Sequence, residues 1–440
     1  MKVLIFYNAT QTYTNTVFEH VISFARYSAL EYLFCHGNEW SRVEADLDAF
    51  DAVAIHYSVR LPYDQISPSL AQKLQAYRGL KVLFIQDEYD HTNRAGDWVR
   101  RLGVQLIFTV VPPASIDAVY PPAQFPGVRF VSNLTGYVPE ELPLTGTFVP
   151  TSKRSLVVGY RGRPLPLRYG QLGFEKVEIG RQVKAFCQTH AVSHDISWAE
   201  KDRIYGAKWY EFVSSCRAML GTESGSNVFD RDGTLGVQLT AYRTAHPRAS
   251  DATMYAELVS SRESPGLMNQ ISPRIFEAVA LCTALVLYEG AYSGVVQADK
   301  HYIPLRKDGR NLAEVIRQLQ DDQVVDRLTQ NAYNDIIQSA KYSYAEFVSF
   351  VDREIALSLK AFRGTQTSLV TGSNAFDGFA TNKVGQNEKE VRSFPTLSPI
   401  RAAPPVPIRT LVRIVYVFWN LLPERVQDVI KPVLKRLIGR

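Results

Sequence analysis

The sequence predicts an α/β protein of two Rossmann-like domains, each a parallel sheet covered by helices on both faces. Three observations predict it. The chain has 440 residues, more than one ordinary core accommodates. Short apolar runs alternate with helix-patterned stretches through the first part of the chain. The alternation then starts again at Ser155, after a break marked by Pro139, Pro143 and Pro150. Continuous apolar strands, each followed by a crossover, indicate a sheet buried on both sides.

In the first half the apolar runs are Lys2–Tyr7, Glu31–Cys35, Ala52–His56, Lys81–Gln86, Val104–Val110 and Val128–Ser132. Their length and β-branched content read as buried strands. Thr14–Tyr27 and Ser69–Tyr77 carry apolar residues at helical spacing between them. The second half opens with a strand over Ser155–Tyr160, then a glycine-containing loop and a helix reaching Phe186. Further strands are expected at Ala218–Gly221 and Thr283–Tyr288, with a short apolar helix at Ile275–Leu281. Leu312–Leu319, Val324–Ser339 and Tyr344–Leu359 read as amphipathic helices. The expected organisation is an N-terminal domain over 1–148, a C-terminal domain over 149–362, a flexible linker over 363–407 and a basic tail over 408–440. The linker is inferred from its Gly, Ser, Thr, Asn and Pro content without periodicity.

Composition narrows the function. The chain is 46% hydrophobic and 21% charged, the balance of a globular protein. Its four cysteines are far apart and form no C-x-x-C pair, which suits a reducing compartment. Met1-Lys2 runs directly into a strand, so no export signal is expected, and no run is apolar for the roughly 18 residues of a spanning helix. The net charge of +5 is unevenly distributed. Residues 401–440 hold eight Lys/Arg and two Asp/Glu, leaving 41 basic and 42 acidic residues before them. A nearly neutral body with a basic tail argues against nucleic acid as a partner and for an anionic surface met by the tail. In Glu424–Ile438 the apolar residues Val426, Val429, Ile430, Val433, Leu434, Leu437 and Ile438 recur at helical spacing. Lys431, Lys435 and Arg436 lie largely off that stripe, the pattern of a helix lying in a membrane interface.

Several positions carry chemistry. The strand ending at His56 and the one ending near Asp87-Glu88 place a histidine and two carboxylates at strand ends, where ligands of parallel sheets bind. His56, Asp87 and Glu88 are therefore candidates for acceptor binding or proton transfer. Asn8–Thr12, the first strand-to-helix turn, lacks the G-x-G-x-x-G fingerprint, which counts against a dinucleotide oxidoreductase. Asp46-Leu47-Asp48 and Asp230-Arg231-Asp232 are D-x-D triplets of a length that recurs by chance, and no metal site is expected. In Ser272–Leu287, Glu277 lies near the start of an apolar helix that leads through a tight turn to a buried strand. A carboxylate there can accept two hydroxyl hydrogen bonds from a ribose, and Arg274 with nearby N–H groups can meet phosphates.

The segment Ser272-Pro273-Arg274-Ile275-Phe276-Glu277-Ala278-Val279-Ala280, with the strand after it, resembles the C-terminal domain of GT-B glycosyltransferases of the retaining, family-4-like kind. The stretch His301–Leu312 resembles the short strand, polar turn and helix start found after that motif in the same proteins. The resemblance implies two domains facing each other across a cleft, with a nucleotide-sugar donor on the C-terminal domain held at its ribose by Glu277. The family's second glutamate falls at Asn269 here, and Glu223 is the substitute catalytic carboxylate. The backbone around Ser224 and Gly225 is then expected to approach the donor closely. For the diphosphate, the resemblance implies Arg161 or Arg163 together with Lys176, cations that would meet the leaving group's charge. The family's glycine after the ribose glutamate is replaced by Cys282-Thr283.

The expected function is sugar transfer from a nucleotide-sugar to a glycan or lipid-linked acceptor in cell-surface polysaccharide synthesis. Retention of configuration, no metal and no cofactor follow from the resemblance. The site of action would be the cytoplasm, at the inner face of the cell membrane. A degenerate nucleotide-sugar-binding scaffold is the alternative, and a sugar-nucleotide epimerase is a third.

Overall fold

The structure, a computed structural model, describes residues 1–142 and 149–370. The first sheet contains β1 (Lys2–Tyr7), β2 (Glu31–His36), β3 (Ala52–Ile55), β4 (Leu80–Ile85), β5 (Leu106–Thr109) and β6 (Arg129–Ser132). All pairs are parallel and the order is β2-β1-β3-β4-β5-β6. Alternation along each strand divides the apolar residues between two cores. Leu4, Phe6, Val53, Ile55, Leu83 and Ile85 face one; Val3, Ile5, Ala52, Ala54, Val82 and Phe84 face the other. Helices α1 (Asn15–Tyr27), α2 (Pro68–Ala76), α3 (Thr92–Leu102) and the single turn α4 (Ile116–Val119) join these strands.

The second sheet contains β7 (Leu156–Arg161), β8 (His194–Ser197), β9 (Cys216–Gly221), β12 (Ala284–Tyr288) and β13 (Ile303–Leu305), in the order β13-β12-β9-β7-β8 and again all parallel. The minor ribbon β10 (Ser224–Gly225) and β11 (Asn269–Gln270) stands apart from it. Its helices are α5 (Gly170–Thr189), α6 (Ala207–Ser215), α9 (Pro273–Ala280), α10 (Leu312–Gln320) and α11 (Asp322–Ala332). Between β10 and β11 the chain makes a helical excursion with α7 (Thr234–Ala245) and α8 (Asp251–Met254), which has its own small core of Val228, Leu235, Leu239, Met254 and Val259.

In chain order, both sheets have the doubly wound sequence 2-1-3-4-5, which the first extends by one strand. In such a sheet the crossovers leaving the first and third strands diverge to opposite faces, opening a crevice at their C-terminal ends. Each domain therefore has one crevice, between β1 and β3 in the first and between β7 and β9 in the second.

The last described helix, α12 (Tyr344–Val370), returns to the first domain. Tyr344, Phe347, Val348, Val351, Ile355 and Leu359 pack on the same core as Val3, Ile5, Val21 and Phe24. Asp352 accepts from Ser28 Oγ at 2.7 Å, the Ala29 amide at 3.0 Å and Tyr32 Oη at 3.0 Å. The expected grouping of 149–362 is corrected to this extent, because the apolar face of 344–362 is buried against the first sheet. Helix α12 also extends through residues 363–370, which the sequence places in the linker. The rest of the linker and the tail over 408–440 lie outside the described residues. No helix among the described residues is long and apolar enough to cross a membrane.

Candidate active site

A cavity of about 230 Å³ occupies the crevice of the second domain. After β7 the chain turns through Gly162 and Arg163; after β9 it turns through Thr222 and Ser224, and all four line the cavity. Trp209 and Val213 of α6, Met219 of β9, Ile275 of α9, and Leu285 and Leu287 of β12 supply apolar surface. The polar contribution is cationic. Lys176, from the second turn of α5, donates to Ser224 Oγ at 3.1 Å and lies 3.5 Å from the Thr222 carbonyl. Burial, and then the nearby Arg274 guanidinium, lower the Lys176 pKa to about 7. Arg274 stacks over Trp209, 4.8 Å from the ring centre, and donates to the Arg161 carbonyl at 2.5 Å. An apolar floor beside three cations, Arg163, Lys176 and Arg274, is what a base joined to a phosphate chain requires.

The crevice of the first domain holds a second cavity of about 330 Å³. Gln11, Tyr13 and Thr14 after β1, Tyr57 to Tyr63 after β3, and Gln86 and Asp87 after β4 line it. Asp87 is half-exposed, 3.5 Å from Arg60, and accepts from Tyr89 Oη at 2.7 Å. Arg60 in turn covers the Tyr63 ring at 4.2 Å. Arg163 of the second domain lines both cavities. The domains are joined beside this point by Asp90, which is buried and accepts from Tyr63 Oη at 2.7 Å, Arg168 Nε at 3.0 Å and Tyr169 Oη at 2.8 Å.

The structure distributes the expected residues unequally. Arg163, Lys176, Arg274 and Ser224 come together in the second-domain cavity, and Asp87 reaches the first. Arg161 does not reach the cavity and is corrected to a structural role. Its guanidinium is held by Asp195 Oδ2 at 2.7 Å and the Asp195 and Asp202 carbonyls at 3.0 Å, over the Phe212 ring. His56 is also corrected. It is fully buried beneath the strand ends, with Nε2 2.9 Å from His20 Nδ1 and Nδ1 2.8 Å from Ser58 Oγ. Burial, and then the His20 ring, hold its pKa well below the usual range, so it stays neutral.

Glu88 points into the first-domain interior, where Thr109 Oγ1 donates to it and burial raises its pKa to about 8. Glu223 lines neither cavity, and both its oxygens accept hydrogen bonds that tie neighbouring segments together. Oε1 accepts the Ala291 and Tyr292 amides at 3.1 and 2.8 Å, and Oε2 accepts Asn269 Nδ2 at 2.7 Å. Glu223 and Asn269, singled out separately in the sequence, are thus direct partners. Gly225 lies on the ribbon behind the cavity, with φ +105°; a Cβ there would meet the Met268 carbonyl oxygen at 1.8 Å.

Glu277 lies at the fifth position of α9, past the first turn. Its Oε2 accepts from Trp209 Nε1 at 2.7 Å, fixing the indole that forms the cavity wall, and burial raises its pKa. Its Oε1 has no partner among the described residues. Asp230, of the second D-x-D triplet, accepts from the Leu235 and Gly236 amides at 3.0 and 2.9 Å and so caps α7. Asp46 accepts from the Asp48 amide. Sequence reasoning missed Trp209, Arg60 and Tyr63, as well as the Asp90–Arg168 clamp. Arg60 and Tyr63 follow His56 within one loop, so the strand-end argument, carried a few residues further, reaches them.

Two doubly wound domains, with a cavity at each switch point and one arginine shared between the cavities, constitute the GT-B arrangement. No family model and no curated protein matches the chain. Similar solved structures include an α-glucosyltransferase in complex with UDP and a DNA containing an HMU base. It is 11% identical, with 81% of this chain and 99% of that one covered and a TM-score of 0.47. Anabaena HepE in complex with UDP is 13% identical over 82% of this chain and 100% of that one, at a TM-score of 0.43. T4 phage BGT with its UDP-glucose substrate is 13% identical over 83% of this chain and 99% of that one, at 0.37.

Proposed function

We propose that this protein is a glycosyltransferase that binds a nucleoside diphosphate sugar in the second-domain cavity and passes the sugar to an acceptor in the first. The carrying observation is the shared Arg163 between an apolar cavity with Lys176 and Arg274 and a facing cavity with Asp87. Transfer breaks the bond between the anomeric carbon and the diphosphate, and the departing group gains negative charge. Cations fixed in place stabilise that charge as it develops, without reorganisation. Trp209 and the apolar floor suit the base, and Glu277, outside the cavity lining, holds the Trp209 indole in place from behind. Asp87 holds the acceptor hydroxyl.

In this proposal the anomeric configuration is retained, with the leaving phosphate taking the acceptor proton, and neither metal nor cofactor takes part. The acceptor is a glycan or lipid-linked sugar of cell-surface polysaccharide. The enzyme works on the cytoplasmic side, its basic tail on an anionic membrane. The membrane and compartment assignments rest on sequence alone.

Thermal shift with a panel of nucleoside diphosphates and their sugars tests the donor site. One nucleotide series should raise the melting temperature. Lys176→Gln should weaken it by about tenfold or more, as loss of a charge-assisted contact does. No shift with any nucleotide would reject the proposal. Proton NMR of the product tests the stereochemistry: inversion, together with an inactive Asp87→Asn variant, would make Asp87 the base.

A further inference from the structure

We propose that the acceptor is an oligosaccharide of several sugars, held outside the first-domain cavity by three exposed aromatic rings. This rests on the functional proposal above and specifies its acceptor. Tyr13, Trp40 and Tyr205 are 78%, 83% and 57% exposed, although each has a large apolar face. Tyr13 lines the mouth of the first-domain cavity. Trp40 lies on the adjacent loop. Strands β1 and β2 end in register at Tyr7 and His36, and the Ala9 amide donates to His36 Nδ1 at 3.1 Å. The loop after β2, which carries Trp40, therefore lies next to the loop after β1, which carries Tyr13.

Tyr205 belongs to the opposite lip, in the loop between β8 and α6. One face of its ring is covered by Arg203, at 5.1 Å. A hydrogen bond from Asn15 Nδ2 to Tyr210 Oη, at 3.1 Å, links the two lips near these tyrosines. The C–H face of a pyranose is apolar and lies flat on an aromatic ring, whose negative π face attracts it. Exposed rings continuous with a polar cavity thus suit a sugar chain whose end enters the cavity while its preceding residues rest outside. A single sugar bound in the cavity would leave the outer rings unused.

The test titrates the full chain with maltohexaose, cellohexaose and chitohexaose and with the matching disaccharides, by calorimetry. At least one hexasaccharide should bind about tenfold more tightly than its disaccharide. Tyr13→Ala, Trp40→Ala and Tyr205→Ala should each weaken that hexasaccharide about fivefold, while Tyr13→Phe keeps it. The nucleoside diphosphate thermal shift of the same variants should be unchanged, which verifies their folding and separates this test from that of the donor site. The inference is overturned if no hexasaccharide outbinds its disaccharide or if the alanine variants bind it like the wild type. It is equally overturned if the variants instead lose binding to phosphatidylglycerol vesicles, which would make the rings a membrane contact.

Discussion

At the scale of single residues, burial decides which carboxylates reach a cavity. Glu88 and Asp87 are neighbours in sequence, yet Asp87 reaches the cleft and Glu88 is fully enclosed. The Glu88 pKa is raised from 4.5 to about 8, chiefly by burial. The folded state therefore binds more protons than the unfolded state between those values, and Glu88's contribution to stability falls as pH rises through that window. Glu88→Gln, which mimics the protonated form, should gain stability over the wild type by up to about 1.4 kcal/mol per pH unit there. Urea unfolding at a series of pH values checks this, and a pH-independent difference would refute it. Lys176 behaves oppositely, since its pKa is lowered to about 7. A bound diphosphate favours its charged form, so binding above that pH should draw a proton from solution, seen as a buffer-dependent heat that vanishes in Lys176→Gln. These environments are not legible from sequence. Arg161 and Arg163 are two positions apart, but only the fold shows Arg161 bound by Asp195 and Arg163 open to both cavities.

At the scale of elements, the strands were the most legible part, because a strand buried on both faces is a continuous apolar run and little else resembles it. β1, β3 and β4 fall within about a residue of expectation. Helix α3 was missed; its arginines obscure the buried stripe of Ala95, Val99 and Leu102. Strand β8, His194–Ser197, reads as polar because it is a sheet edge. The position of Glu277 was legible but its role was only partly so, since the Trp209 contact joins residues 68 positions apart. The β10–β11 ribbon shows how a two-residue pairing matters. Gly225 lets the backbones meet where any side chain would strike the Met268 carbonyl. Gly225→Ala should cost about 2–3 kcal/mol in strain and displaced pairing. It should also weaken nucleotide binding by displacing Ser224 beside Lys176. A lowered urea midpoint with an unchanged nucleotide shift would show that the ribbon does not support the cavity.

At the scale of the whole molecule, the two domains are tied by Asp90, whose carboxylate gathers Arg168, Tyr63 and Tyr169. Burial alone would raise its pKa, but these donors outweigh burial and lower it. Asp90→Ala leaves the half-buried Arg168 guanidinium without its carboxylate, a loss of about 1.5–3 kcal/mol for charge-assisted hydrogen bonds. Small-angle scattering should then show a larger radius of gyration as the domains separate; an unchanged radius would mean that other contacts hold them. Helix α12 bears on orientation. It starts near the strand ends, where Tyr344 Oη meets the Thr16 carbonyl, and by Arg363 it has reached Asp51, at the strand starts. Twenty residues of helix carry the chain about 30 Å. Helix α12 thus ends at the rear of the first domain, opposite the opening of its cavity. An anchor attached there would moor the molecule by its back, its mouth turned toward the surrounding fluid, where long chains arrive more readily than short heads fixed to the same surface.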